Sequence, residues 1–200
     1  MKILSIADLH GSQYRLNIVL DNIKRYNPDL VVICGDITQF GPGEVAKNFL
    51  DQIPIDTYAI TGNIDTLDVV KGIKESKATF LELNKIKRSE YTFVGTNGID
   101  NNQVEKLDDK KYFDKKTILI THIPPYKTQD KVFIGVFGGS VELRNIIEKY
   151  KPILVLCGHI HEDPGYTNIF NSIIVNCSMG KRGEGALINL KEKIDIKMLG

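Results

Sequence analysis

The chain has 200 residues, with 26 lysines and arginines against 25 acids and a formal net charge of +1. That length suits a single domain spanning residues 1–200, able to bury roughly 70% of its extended-chain surface without staples, and the mixed charge excludes bulk recruitment of nucleic acid. Nothing approaches the roughly 18 consecutive apolar residues of a membrane span, and Met1-Lys2 runs into a strand with no leader pattern, so a cytoplasmic protein with no membrane partner is expected.

Ile3-Leu4-Ser5-Ile6-Ala7 reads as a strand that ends in Asp8 and His10. Tyr14, Leu16, Ile18, Val19, Leu20 and Ile23 then recur with helical spacing up to Tyr26, where Asn27-Pro28 stops the helix. Leu30-Val31-Val32-Ile33-Cys34 is apolar without alternation, the pattern of a strand covered on both faces, and Gly35 lets Asp36 leave its end. A helix over Gly43 to Leu50 precedes a third strand, Thr57 to Thr61, which ends in Gly62-Asn63; Thr66 can cap a helix over Leu67 to Ile73. Strands alternating with helices imply parallel crossovers.

Phe80 to Leu83, Ile86 to Arg88 and Glu90 to Gly95 read as short antiparallel strands, and Thr96 to Lys116 as polar surface with a turn at Gly98 to Asn102. Thr117 to Thr121 forms a strand ending in His122, and Ser140 can cap a helix running to Tyr150. Ile153 to Cys157 is a strand ending in Gly158-His159-Ile160-His161. Tyr166 to Phe170, Ile173 to Asn176, Gly185 to Leu190 and Ile194 to Leu199 read as a terminal meander. Cys34, Cys157 and Cys177 lack a CxxC pairing and read as small buried residues of a reducing compartment.

All four histidines follow an apolar strand, and with Asp8, Asp36 and Asn63 they place carboxylates, an amide oxygen and imidazoles at strand ends, where open α/β sheets keep their sites. Two cations roughly 3.5 to 4 Å apart repel, so a bridging carboxylate is useful, and Asp36 on the central strand is the natural bridge. Mixed nitrogen and oxygen donors suit manganese, with nickel, iron, zinc and cobalt as alternatives, better than an all-oxygen magnesium cage.

Asp8-Leu9-His10, Gly35-Asp36, Gly62-Asn63-Ile64-Asp65, His122 and Gly158-His159-Ile160-His161 resemble, in order and spacing, the DxH, GD, GNHD/E, H and GHxH blocks of the calcineurin-like metallophosphoesterase superfamily. The resemblance implies an α/β fold, a two-sheet β-sandwich flanked by helices in α-β-β-α layers. It implies that Asp8, His10, Asp36 and His161 hold one metal and Asp36, Asn63, His122 and His159 the other, with Asp36, Asn63 and His122 catalytic. The implied reaction is hydrolysis of a small phosphoester, a diester before a monoester, by a hydroxide bridging two divalent metals. A phosphomonoesterase, a nuclease or a non-catalytic metal-binding scaffold for protein contacts are the alternatives, and a homo-oligomer is compatible with each. Ile64 stands where the family has a histidine near the leaving group, and an isoleucine moves no proton.

Tyr126, Lys127 and Asn97 are weak substitutes for that proton donor, Thr38 and Asn101 weaker, and Arg144 is expected on the solvent face of its helix. Phe133, Ile134 and Phe137 can pack their loop down, line a substrate pocket or meet a partner. Lys110-Lys111 and Lys115-Lys116 read chiefly as solvated surface, with phosphate steering as the other use.

Overall fold

The computed structural model describes residues 1–200. Strands β1 (Lys2–Ile6), β2 (Leu30–Cys34) and β3 (Thr57–Ile60) are joined by helices α1 (Gln13–Tyr26) and α2 (Gly43–Gln52), and α3 (Leu67–Glu75) leads to the short β4 (Thr79–Phe80). Next come β5 (Lys85–Arg88), β6 (Tyr91–Thr96), α4 (Asn101–Leu107) and β7 (Thr117–Thr121). A small hairpin, β8 (Lys131–Phe133) with β9 (Val136–Phe137), precedes α5 (Val141–Tyr150) and β10 (Leu154–Cys157). The chain ends in β11 (Gly165–Ile169), β12 (Ser172–Asn176), β13 (Gly185–Asn189) and β14 (Asp195–Leu199). One six-stranded sheet runs β14-β13-β1-β2-β3-β4 and the other β11-β12-β10-β7-β6-β5.

Three apolar layers hold the sheets and helices together, giving the α-β-β-α sandwich. Leu30, Val32 and Cys34 of β2 pack between the sheets with Ile3, Phe93, Ile118 and Leu156, while Val31 and Ile33 turn outward to Leu16, Val19, Phe49 and Ile73 of the helices. Both faces of β2 are covered, which is why its sequence shows no alternation. On the far side Val104, Leu107, Leu143 and Ile147 of α4 and α5 cover Val94, Leu119 and Val155. Each such fully buried side chain stabilises the fold by about 1.5 to 3 kcal/mol.

Strands β1, β2, β3 and β4 pair in parallel, as do β6, β7, β10 and β12, so each sheet gathers its carboxyl ends on one side. Ser140 caps α5 by accepting a hydrogen bond from Leu143 N at 3.1 Å. At α3, Thr66 occupies the cap position without a side-chain bond.

Three expectations are corrected. The polar stretch after Thr96 contains α4, started by the Asp100 carboxylate on Asn102 N; β6 and β7 are parallel, so the chain must cross back, and a helix with Val104 and Leu107 buried does so. Thr79–Phe80 joins β3 in parallel rather than forming an antiparallel ribbon, whereas β5 and β6 do pair antiparallel. The terminal strands are not one meander: β11 and β12 extend the second sheet through β10, and β13 and β14 extend the first through β1.

Candidate metal centre

Close backbone bonds link the strand ends into one cradle. Asp8 N donates to Gly35 O at 3.1 Å, His10 N to Asp36 O at 2.9 Å and Gly158 N to His122 O at 3.1 Å. Across the sheets, the Asp8 carboxylate accepts from His159 N at 3.1 Å. Asp8, His10, Asp36 and His159 all have positive φ, a costly conformation for residues with a Cβ that the surrounding bonds enforce. Gly35, at φ +90, has no room for a Cβ, which would lie 2.7 Å from His122 Nδ1 and 2.8 Å from Gly62 Cα.

The seven expected ligand residues fall into two overlapping groups. On one side, His161 Nε2 lies 3.5 Å from Asp8 Oδ1 and 3.2 Å from His10 Nε2. On the other, His122 Nε2 lies 2.8 Å from Asn63 Oδ1 and 3.5 Å from Asp36 Oδ2, and His159 Nδ1 lies 2.9 Å from the same Asn63 oxygen. His10 Nδ1 reaches only to 4.0 Å from Asp36 Oδ2 and is buried with no hydrogen-bond partner. Asp8, Asp36 and His122 are at most 2% exposed. Asp8, His10 and His161 form one potential cation cluster and Asp8, Asp36 and His122 a second, a dinuclear arrangement.

Divalent cations suit this arrangement, as one tautomer shows. His122 Nδ1 is 2.8 Å from Cys34 O, an acceptor, so the tautomer that donates there leaves Nε2 facing Asn63 Oδ1 as a second potential metal donor. In that tautomer Nε2 and Oδ1 converge as two electron-pair donors, which a cation between them satisfies. Donor atoms sharing a cation at about 2.1 Å stand about 3 to 3.5 Å apart, close to the separations found here.

The two sides differ electrostatically. Burial works against the Asp8 charge, yet its hydrogen bond from His161 and the field of His122 hold its carboxyl below the ordinary value, and the same bond raises His161. Burial lowers His10. It pushes Asp36 up to about 6 despite the opposing field of His122, and it takes His159 down to about 4, aided by repulsion from His122.

Two residues outside the expected ligand set support the centre. The Asp65 carboxylate accepts from Ile37 N, Thr38 N and Thr38 Oγ1, and Gly62 N, each at 3.0 Å, clamping the loops after β2 and β3. Arg15, which sequence reasoning missed, donates to Asp8 O at 2.8 Å and Gly180 O at 2.7 Å, tying the first strand end to the loop after β12. An arginine in the first turn of α1 opposes the helix dipole, and that was the signal available.

Of the substitute proton donors, Tyr126 packs edge-on to Phe137, and Lys127 Nζ lies over the Tyr126 ring at 5.4 Å. Asn97 accepts at its backbone oxygen from His122 N and at its side chain from Ile99 N, Thr38 is held by Asp65, and Asn101 begins α4. None of these contacts involves a metal-facing atom of the expected ligands. Arg144 departs from the expectation of a solvent-facing side chain: it is half-buried and donates to Tyr126 O at 2.7 Å, anchoring the loop after His122.

The curated proteins include two clear relatives. An uncharacterized protein of Methanocaldococcus jannaschii, MJ1162, is 31% identical over 198 residues, covering 89% of this chain and 88% of that protein. A probable glycerophosphodiester phosphodiesterase, GpdQ, of Arcobacter nitrofigilis is 29% identical over 190 residues, covering 84% of this chain and 68% of that one. Among solved structures, TT1561 of Thermus thermophilus superposes with a TM-score of 0.72 at 15% identity over 98% of both chains, a likeness of fold. The family model described as calcineurin-like phosphoesterase matches residues 1–163, a span that includes every strand end of the cradle, and the chain belongs to that family.

Proposed function

We propose that the phosphoester this metal-dependent enzyme hydrolyses is a diester, cleaved at a centre in which Asp8, His10, Asp36 and His161 face one cation and Asp36, Asn63, His122 and His159 the other. The observation that carries the reading is the convergence of His122 Nε2 on Asn63 Oδ1 at 2.8 Å and on the buried Asp36 carboxylate at 3.5 Å, a donor set that a divalent cation satisfies. When bound, two divalent cations supply neutralisation of the phosphoryl oxygens and acidify an attacking water. Manganese is our choice for a nitrogen and oxygen donor set, and the mixture also accommodates nickel, iron, zinc or cobalt.

The protein's own part is positional. Cys34 O fixes the tautomer and angle of His122, and Asp65 and Arg15 hold the loops that carry Asp36, Asn63 and Asp8. Asp36 serves both halves of the centre with one carboxylate. Position 64 offers no proton to a departing oxygen: Ile64 uses its backbone N–H to donate to Asp36 Oδ1 at 3.2 Å, and its side chain carries no acid. Leaving groups that are stable as anions are therefore favoured. The diester preference is supported by the name borne by the Arcobacter relative. Three free, buried cysteines fit a reducing cytoplasm.

The test is hydrolysis of bis(p-nitrophenyl) phosphate and p-nitrophenyl phosphate by metal-stripped protein reloaded with manganese, nickel, zinc or magnesium, with His159→Ala as control. Metal-restored turnover of the diester above the monoester, lost in the variant, is expected. Preference for the monoester would replace the diester reading, and two bound metals with neither ester cleaved would favour a scaffold.

A further inference from the structure

Ten large apolar side chains are exposed, and eight of them lie between the carboxyl end of a parallel strand and the first turn of the helix that follows, so the apolar surface is concentrated around the metal centre. The β8–β9 hairpin holds the densest part. Phe133 is 72% exposed, Ile134 96% and Val136 51%. Its turn, Ile134-Gly135, takes the positive φ of Gly135 (+76), and nothing lies within 4 Å of where a Cβ on that glycine would be, so the tip stands clear of the protein.

The tip is free, but its base is fixed. Gly138 N donates to Asp130 O at 2.9 Å, and Lys131 N donates to Asp163 Oδ2 at 3.0 Å. Asn176 Nδ2 donates to Gln129 O at 3.2 Å and Ile160 O at 2.8 Å, binding the hairpin's base to the loop that carries His159 and His161. Across the centre, Phe40 (68% exposed) projects from the loop after β2 and Leu67 (88%) from the start of α3.

We propose that this face docks on an anionic lipid surface, the hairpin entering the headgroup layer and the metal centre held against it, so that the substrate is an amphiphilic phosphoester. The substrate class rests on the phosphodiester reading above; the docking does not. Charge supports the choice of occupant. From Lys127 to Val141 the one acidic residue is Asp130, fully buried and accepting from Lys127 N, Thr128 N and Gly139 N. Lys127 and Lys131 remain exposed at the hairpin's base with no carboxylate in a salt bridge to either, which suits a negative leaflet. Shape supports it too. A stable protein partner needs about 800 Å² of surface on each side, whereas here the exposed apolar side chains stand on separate segments after β2, β3 and β7, and a fluid interface conforms to each. No helix is long and apolar enough to cross a membrane. The proposal departs from the sequence-based expectation of no membrane partner.

The test is cosedimentation of the full chain, metal-free and manganese-loaded, with vesicles of phosphatidylcholine alone and of equal parts phosphatidylcholine and phosphatidylglycerol. Binding to the anionic vesicles is expected, weakened by salt, and reduced about tenfold or more by Phe133→Ser combined with Ile134→Asp. Both positions are exposed, so the variant should keep its melting temperature and its turnover of bis(p-nitrophenyl) phosphate. No binding to anionic vesicles, or binding that the double variant leaves intact, would overturn the proposal. So would a solution dimer, seen by light scattering and broken by Ile134→Asp, in protein that ignores vesicles: the face would then belong to a second copy. Vesicle binding without diester hydrolysis would refute the substrate reading alone.

Discussion

The two halves of the metal centre are built from similar residues and differ in what holds them ready. The half containing Asp8, His10 and His161 carries its own charge balance: Asp8 is kept ionised by His161, which is raised in turn. The half containing Asn63, His122 and His159 is governed by burial and by acceptors turned on one another, with Asp36 pushed up to about 6 and His159 down to about 4. The first is an ion pair that a cation replaces; the second is a convergence of imidazole and amide donors on one point, which a cation satisfies. The second half should therefore gain more order on loading and should be more sensitive to conditions.

The largest effect should come from the residue proposed to serve both halves. Asp36→Asn is predicted to lose at least one metal and to cut turnover about 10³-fold or more, since each 1.36 kcal/mol of lost transition-state stabilisation is tenfold. Unchanged metal content by elemental analysis would rule Asp36 out as the bridge. Next, His159→Ala and His161→Ala should each retain one cation of two, in opposite halves, and should be separable by manganese electron spin resonance: a lone ion loses the coupling of a pair. Identical spectra and affinities in the two variants would erase the distinction between the halves.

Acid should act on both halves through different groups. Asp36, with its carboxyl at about 6, binds a proton below that pH, and a cation must then displace it, so metal affinity should fall by up to about tenfold per pH unit below 6. The raised His161 adds to the loss on the acid side, while His159, at about 4, stays neutral and available as a donor at pH 5. Competition titrations with a chelator at pH 7.5, 6 and 5 read this directly; equal affinity at all three would exclude proton competition at Asp36.

Smaller changes sharpen the picture around the centre. Ile64→His should speed cleavage of alkoxide leaving groups by up to about 10²-fold and leave nitrophenolate nearly unchanged. A uniform effect along a leaving-group series would place position 64 away from the departing oxygen. Smallest of all, Cys34→Ala should cost about 1 to 2 kcal/mol by opening space among Ser5, Cys177 and the inter-sheet apolar layer, with metal content unaltered. Thermal melts with elemental analysis check both parts, and loss of metal would reassign that thiol to the site.

Much of this was legible in the chain because strand-end chemistry is local. A run such as Leu30–Cys34 followed by Gly35-Asp36 carries both its burial and the position of its carboxylate within seven residues, and four such runs ending in histidine or acid are enough to imply a cation centre. The family resemblance sorted those residues into two sets, and the structure brings members of each set within 3.5 Å of one another. Less legible were α4, whose polar sequence hides two buried apolar positions, and Arg144, whose role depends on carbonyls 17 and 18 residues away.

By itself, then, the sequence determined the strands that end in donor groups and the identity of those donors, since each depends on apolar runs and residue types read over a few positions, and the α/β sandwich class came with the family resemblance that those residues carry. Tertiary structure alone decided which sheet the terminal hairpins join, how Asp65 and Arg15 brace the loops, which imidazole nitrogen faces inward, and that Phe133 and Ile134 stand in solvent rather than pack. Those outcomes depend on long-range pairing and on what remains uncovered once every other surface has found its partner, and no local pattern encodes a remainder.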